Sequence, residues 1–176
     1  STIGYGMMNM LMTSTPLAMQ FCGFDFNSSA TVIQWHIVGM FAPSFFTGSI
    51  IKRFGVINVI ATGALLQAGA IGIALSGIDF LNFFAGLIVL GLGWNFMFIG
   101  GTTLLTEAYA PEEKAKVQAA HDFIVFGTVA MTAFASGVLH EKLGWIAVNL
   151  IAAVPVSLAF VVAIWYGTQV RRQQST

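Results

Sequence analysis

Cutting the sequence at every Asp, Glu, Lys and Arg leaves six uncharged runs of at least 18 residues: 1–24, 26–51, 54–78, 80–106, 123–140 and 143–170. They take up 148 of the 176 residues. A hydrocarbon core is crossed by about 20 apolar residues of helix, so each run is long enough to span it. Only 8% of the chain is charged, against about 25% in soluble domains. A transmembrane β-barrel would instead show segments of about 10 residues alternating apolar and polar. Stretches such as 83–92 are continuously apolar, as a helix in lipid must be, because its backbone groups are satisfied internally. The expected fold is an all-α integral membrane protein, a single bundle over 1–176 with spans at about 2–22, 30–51, 56–77, 81–105, 118–139 and 145–168.

The few charges orient this bundle. Lys52 and Arg53 follow the second span, Lys114 and Lys116 the fourth, and Arg171 and Arg172 the sixth, while Lys142 lies opposite. Short loops rich in Lys and Arg stay on the cytoplasmic side, so both ends of this segment are expected there, in the inner (cytoplasmic) membrane. A lone Cys22 offers neither a disulfide framework nor a cysteine metal site. No metal or cofactor is expected. The basic residues are spread along one membrane face rather than gathered into a patch, which argues against nucleic acid as a partner.

The chain also echoes itself. Gly48-Ser-Ile-Ile-Lys52-Arg53-Phe-Gly55 follows the second span and Gly137-Val-Leu-His-Glu141-Lys142-Leu-Gly144 the fifth, 89 residues apart. Both read Gly-x6-Gly with a basic residue two before the second Gly. Three spans separate the copies, so they face opposite sides of the membrane. Inverted three-helix repeats build several transporter folds, with the substrate site between repeats near the midplane.

The segment from Gly39 through Pro43, Gly48, Lys52 and Arg53 to Gly55 resembles the Gly-x3-Asp-Arg-x-Gly signature of the major facilitator superfamily, in its second copy between helices eight and nine. Gly91-Leu-Gly93-Trp94-Asn95 and Leu104-Leu105-Thr106-Glu107, followed by Pro111-Glu112-Glu113-Lys114, resemble the tenth helix and following loop of bacterial permeases of that superfamily. The resemblance implies the carboxyl-terminal half of a twelve-helix carrier, whose partner is the missing amino-terminal half. Lys52 stands where the signature usually has Asp, so the acid on which the family builds a charge relay is absent there. Gly48, Lys52, Arg53 and Gly55 would then form a cytoplasmic latch, with Arg53 offering a planar fork to a carboxylate or to helix-end carbonyls.

Polar residues inside spans are expected to face protein or a water-filled cavity. Tyr5, Asn9, Thr13, Pro16 and Gln20 recur at helical spacing on the first span, and Gly91, Asn95, Phe98, Thr102 and Thr106 on the fourth. The resemblance makes these two helices cavity-lining. With Trp94 beside Asn95, the candidate substrate contacts are Tyr5, Asn9, Thr13, Gln20, Trp94, Asn95, Phe98 and Thr102, although Asn and Thr also bond helix to helix, and packing is the commoner role for any single one of them. Met7, Met8, Met10, Met12 and Met19 add an adaptable apolar lining suited to an organic, planar solute. His36, His121 and Asp122 are candidates for protonation, and Asp122 is also a candidate gate acid. The expected activity is transport of a small organic solute by alternating access. The rival readings are a six-helix carrier or channel acting as a homodimer, and an intramembrane enzyme. For the last, neither a zinc-binding His spacing nor a Gly-x-Ser nucleophile setting is present.

Overall fold

The computed structural model describes residues 1–174, with the side chains of Arg171 and Gln174 outside the description. Arg171, counted above toward orientation, therefore has no structural account. The described chain is helical from end to end. Helix α1 spans Thr2–Phe21. It closes with backbone bonds from Gly23 to Gln20 O and from Phe24 to Met19 O, both 3.0 Å, which satisfy carbonyls that a helix end leaves open. Asp25 then caps α2 (Phe26–Phe41), accepting from the Ser28 amide at 3.0 Å. Hydrogen bonds from Ser28, its side chain first and its amide next, hold the Asp25 carboxyl below the usual carboxylate range.

The expected second span is not one helix. It starts earlier, at Phe26, and breaks at Ala42–Pro43 before α3 (Ser44–Phe54). Pro43 has no amide to continue the ladder, and its carbonyl opens α3 by accepting from Phe46 and Thr47 at 2.9 Å. Lys52 and Arg53 lie in the last turn of α3, where positive charge suits the helix dipole. Helix α4 runs Val56–Ser76 and α5 Phe80–Thr106. Asn82 ties their junction, donating to Ile73 O and Ser76 Oγ. A 3₁₀ turn, Pro111–Glu113, leads into α6, Lys114–Gln174. Gly144, at φ 77° and ψ 177°, divides α6 into arms 114–143 and 145–174. The expected fifth and sixth spans thus meet at one residue. Gly55 between α3 and α4 has φ 84° and ψ 147°, so the second glycine of each copy of the sequence echo takes the positive φ that other residues avoid. Three stretches, Val56–Ser76, Phe80–Thr106 and Pro111–Val170, are by themselves long and apolar enough to cross a membrane.

Helices α2, α5, α1 and the first arm of α6 form a row in that order, and α4 packs behind on α5 and α6. The core gathers Met8, Met19, Leu87, Leu90, Trp94 and Val148, among others. Helices α4 and α5 cross most tightly at Gly63 and Gly93, where a Cβ on either would lie 2.8 Å from the other's carbonyl oxygen. Small residues permit such an approach, and close packing drives helix association in lipid.

Candidate functional site

Two of the expected substrate contacts are spent on holding helices together. Asn9 is buried and donates through Nδ2 to Val129 O at 3.0 Å and Thr132 Oγ1 at 3.3 Å, fastening α1 to α6. Further along this seam Ser136 donates to Met10 O and receives the hydroxyl proton of Ser14, both at 2.8 Å. Asn95 is fully enclosed. Its Nδ2 donates to Met40 O at 2.7 Å and Ser44 Oγ at 2.6 Å, and its Oδ1 accepts from Thr47 Oγ1 at 2.6 Å. Those three partners straddle the Ala42–Pro43 break, so Asn95 clamps the broken helix onto α5 instead of lining a cavity. The reason is local: an interrupted helix presents polar groups that must find partners away from water.

The remaining expected contacts are dispersed. Thr102 bonds back to Phe98 O and Ile99 O in its own helix. Thr13 is half-buried. Gln20 is exposed at a cleft of about 520 Å³ between α1 and α2, beside Pro16, Ser29 and Gln34.

Tyr5, Trp94 and Phe98 do come together. Trp94 and Phe98 stack nearly parallel, 9° apart with centroids at 5.2 Å. Tyr5 meets both edge-on at 5.1 and 5.4 Å. Two rings not expected from the sequence extend the group: Phe41 of α2 lies 5.8 Å from Trp94, and Phe126 of α6 lies 6.2 Å from Tyr5. The result is a strip of five rings across the row α2, α5, α1 and α6. Its ends, Phe41 and Phe126, are each 56% exposed, while Trp94 in the middle is 5% exposed. The strip thus runs through the core between two exposed ends, on α2 and α6, which make no substantial contact with each other. Trp94 carries an indole N–H that is buried without a hydrogen-bond partner, although a buried indole usually finds one.

The charged candidates lie outside the strip of rings. Lys52 and Arg53 are exposed, with the Arg53 guanidinium 5.3 Å over the Phe54 ring. Gly48 is open, since a Cβ there meets nothing within 4 Å, so it makes no close approach within this chain. Asp122 is 59% exposed and accepts from His121 Nδ1 at 3.1 Å, while His121 Nε2 meets Ser1 Oγ at 2.8 Å. His36 is enclosed between α2 and α5 and donates from Nδ1 to Leu87 O at 2.6 Å.

Scarce charge, helices throughout the described residues, and buried polar groups that mostly bond helix to helix mark a membrane protein. The family model of the Major Facilitator Superfamily matches residues 2–176, and the chain belongs to that family. It is 45% identical over 157 residues to the riboflavin transporter RfnT of Brucella anthropi, covering 89% of this chain and 39% of that protein. Two uncharacterized MFS-type transporters of Bacillus subtilis are similar as well: YddS at 31% over 168 residues, covering 94% of this chain and 38% of that protein, and YdeG at 32% over 157, covering 88% and 36%. The chain thus spans less than two fifths of the length of these curated relatives.

Proposed function

We propose that the chain is the carboxyl-terminal six-helix half of a twelve-helix carrier that moves riboflavin, or a small organic solute like it, across the cytoplasmic membrane by alternating access. The observation that carries this reading is the pair Gly55 and Gly144, 89 positions apart. Both have positive φ and both join consecutive helices, at the matching place in each half of two three-helix repeats of opposite orientation. On this reading α2 with α3 forms one span broken at Pro43, and the two arms of α6 form two spans. Both ends of the segment face the cytoplasm, where Lys52, Arg53, Lys114 and Lys116 gather.

Part of the surface of α1 and α5 is the wall that this half contributes to a central cavity, with the aromatic strip packed behind it, and the missing half supplies the other wall. The short share of each relative that the chain covers favours a missing half over a second copy. Lys52 and Arg53 then latch the cytoplasmic face against that half, and the exposed Asp122 pairs with a basic group on it. His121, bonded to Asp122, is the histidine best placed for any proton coupling, because His36 is enclosed. The substrate class rests on the riboflavin transporter relative.

The test is uptake of labelled riboflavin by proteoliposomes holding the full-length carrier. Saturable uptake, competed by excess unlabelled riboflavin, is expected. Absence of uptake with either orientation of the gradient would refute the substrate.

A further inference from the structure

We infer that His140 is a pH-sensitive clasp on the face of the bundle opposite Lys52, holding the end of α1 against the bend of α6 while its imidazole is neutral and releasing it on protonation. Its placement on the outer face rests on the orientation proposed above; the clasp itself does not.

His140 lies one turn before Gly144, in the short connection between the two spans that the arms of α6 form on that reading. It lines a cleft of about 290 Å³ with Phe21 and Cys22 at the end of α1, Ile78 of the α4–α5 junction, and Glu141 and Trp145 of α6. Its imidazole stacks on Phe21, with centroids 5.6 Å apart and planes at 29°, and lies 6.4 Å from the Trp145 ring. The residue is 5% exposed, and Nδ1 is sealed without a hydrogen-bond partner. A neutral imidazole tolerates this seat, because its proton can sit on Nε2 and leave Nδ1 bare. Imidazolium carries an N–H on both nitrogens, so the charged ring would bury a donor with nothing to accept it. It must therefore leave the seat, and the end of α1 loses the ring on which Phe21 stacks.

The surrounding groups do not offset that penalty. Among the described residues, the titratable groups lining the cleft besides His140 are Cys22 from α1 and Glu141 from α6. Both are exposed, so water screens the attraction of Glu141, and Lys142 on the same connection adds a like charge. Asp79, which follows Ile78, and Asp25, which follows the end of α1, are engaged in capping α5 and α2. The Phe21 face attracts a cation, yet that ring is 80% exposed and its pull is diluted by water. Burial prevails and holds the His140 pKa below the ordinary histidine value. The seat is thus full at neutral pH. As pH falls below about 6.5 the released ring binds a proton that the seated ring refuses, which favours release by at most about tenfold per pH unit until the lowered value is reached.

The test is amide exchange, corrected for intrinsic rate, at Cys22 and Gly23 of the full-length carrier in detergent, from about pH 7.5 to about pH 4. These amides close α1 on Ala18 O and Gln20 O, each at 3.0 Å. Wild-type protection is expected to hold near pH 7 and to fall below about 6.5, by roughly three- to tenfold per unit. His140→Phe keeps a ring in the seat and takes no proton, so its protection should stay flat down to the carboxylate range; should that variant not fold, His140→Gln gives the same comparison. A wild-type loss confined to below about pH 4.5, the carboxylate range, would belong to the Asp25 cap and overturn the clasp. So would a loss at higher pH that the His140 variant retains. Detergent exposes both faces, so these outcomes are independent of orientation: a Lys142→Cys position labelled only in opened cells would overturn the outer placement alone.

Discussion

Asn95→Ala separates a structural asparagine from a substrate-binding one. The side chain makes three hydrogen bonds of 2.6 to 2.7 Å, to Met40 O, Ser44 Oγ and Thr47 Oγ1, and is fully enclosed. Interhelical polar contacts in membranes average about 0.6 kcal/mol each, which gives about 2 kcal/mol for three. The losses are unequal. Thr47 can turn its one hydroxyl proton wholly to Pro43 O, 2.9 Å away, and the exposed Ser44 can turn to other partners, but Met40 O sits next to the helix break and loses a strong donor. The truncation also leaves a small void against α2. We therefore expect about 2–3 kcal/mol of destabilisation, roughly 30- to 150-fold in the unfolding equilibrium, measured by denaturant titration of the full-length carrier in detergent. Solute affinity in the folded fraction should hardly change. A variant as stable as the wild type that has lost solute binding would refute the clamp and restore Asn95 to the cavity.

Three further outcomes follow from the packing and the charges. Gly93→Ala places a methyl 2.8 Å from Gly63 O and 2.9 Å from the Gln67 amide nitrogen, so backbone must shift, at about 1–3 kcal/mol. Gly48→Ala meets open space and should stay within about 0.5 kcal/mol; equal stabilities in the same denaturant titration would contradict the close α4–α5 crossing. Asp122→Asn should slow uptake by roughly twofold to fivefold, the size of a partly screened ion pair of about 0.4–1 kcal/mol, and an unchanged rate and pH profile would remove both gate and proton roles. The Asp25 carboxyl is held below its usual range by Ser28; its cap therefore stabilises α2 above the ordinary carboxylate pKa and fades as pH falls through the lowered value. Amide exchange at Ser28 and Ser29, corrected for intrinsic rate, should show that loss of protection in acid, and Asp25→Asn should abolish the step.

The long-range pattern was legible where a single physical constraint fixed it. Uncharged runs mark helices because lipid tolerates few charges, and Gly55 with Gly144 could be found as turns because both copies kept the same spacing. The break at Pro43 follows from its missing amide, although the sequence did not say that the helix would resume at once as α3. For Asn9 and Asn95 the sequence left helix packing and solute contact both open, because helical period locates a face but not what lies opposite it. Ser14 pairs with Ser136 across 122 positions, and no local pattern carries such a pairing. Tyr5 and Phe98 could be placed on two stripes by their helical spacing, and Trp94 only as a neighbour of Asn95. Phe41 and Phe126 could not be placed. The chain has 16 Phe residues, and those of the aromatic strip look no different in sequence from Phe123 and Phe134, which are 82% and 81% exposed.

The central claim is that the two three-helix halves are inverted, with Lys52 and Lys142 ending up on opposite sides of the membrane. In the full-length carrier with Cys22→Ser, Lys52→Cys and Lys142→Cys can each be labelled by a membrane-impermeant maleimide in intact and in opened cells. Labelling of position 142 in intact cells, and of position 52 only after opening, is the expected result. Labelling of both positions under the same condition would contradict the inversion.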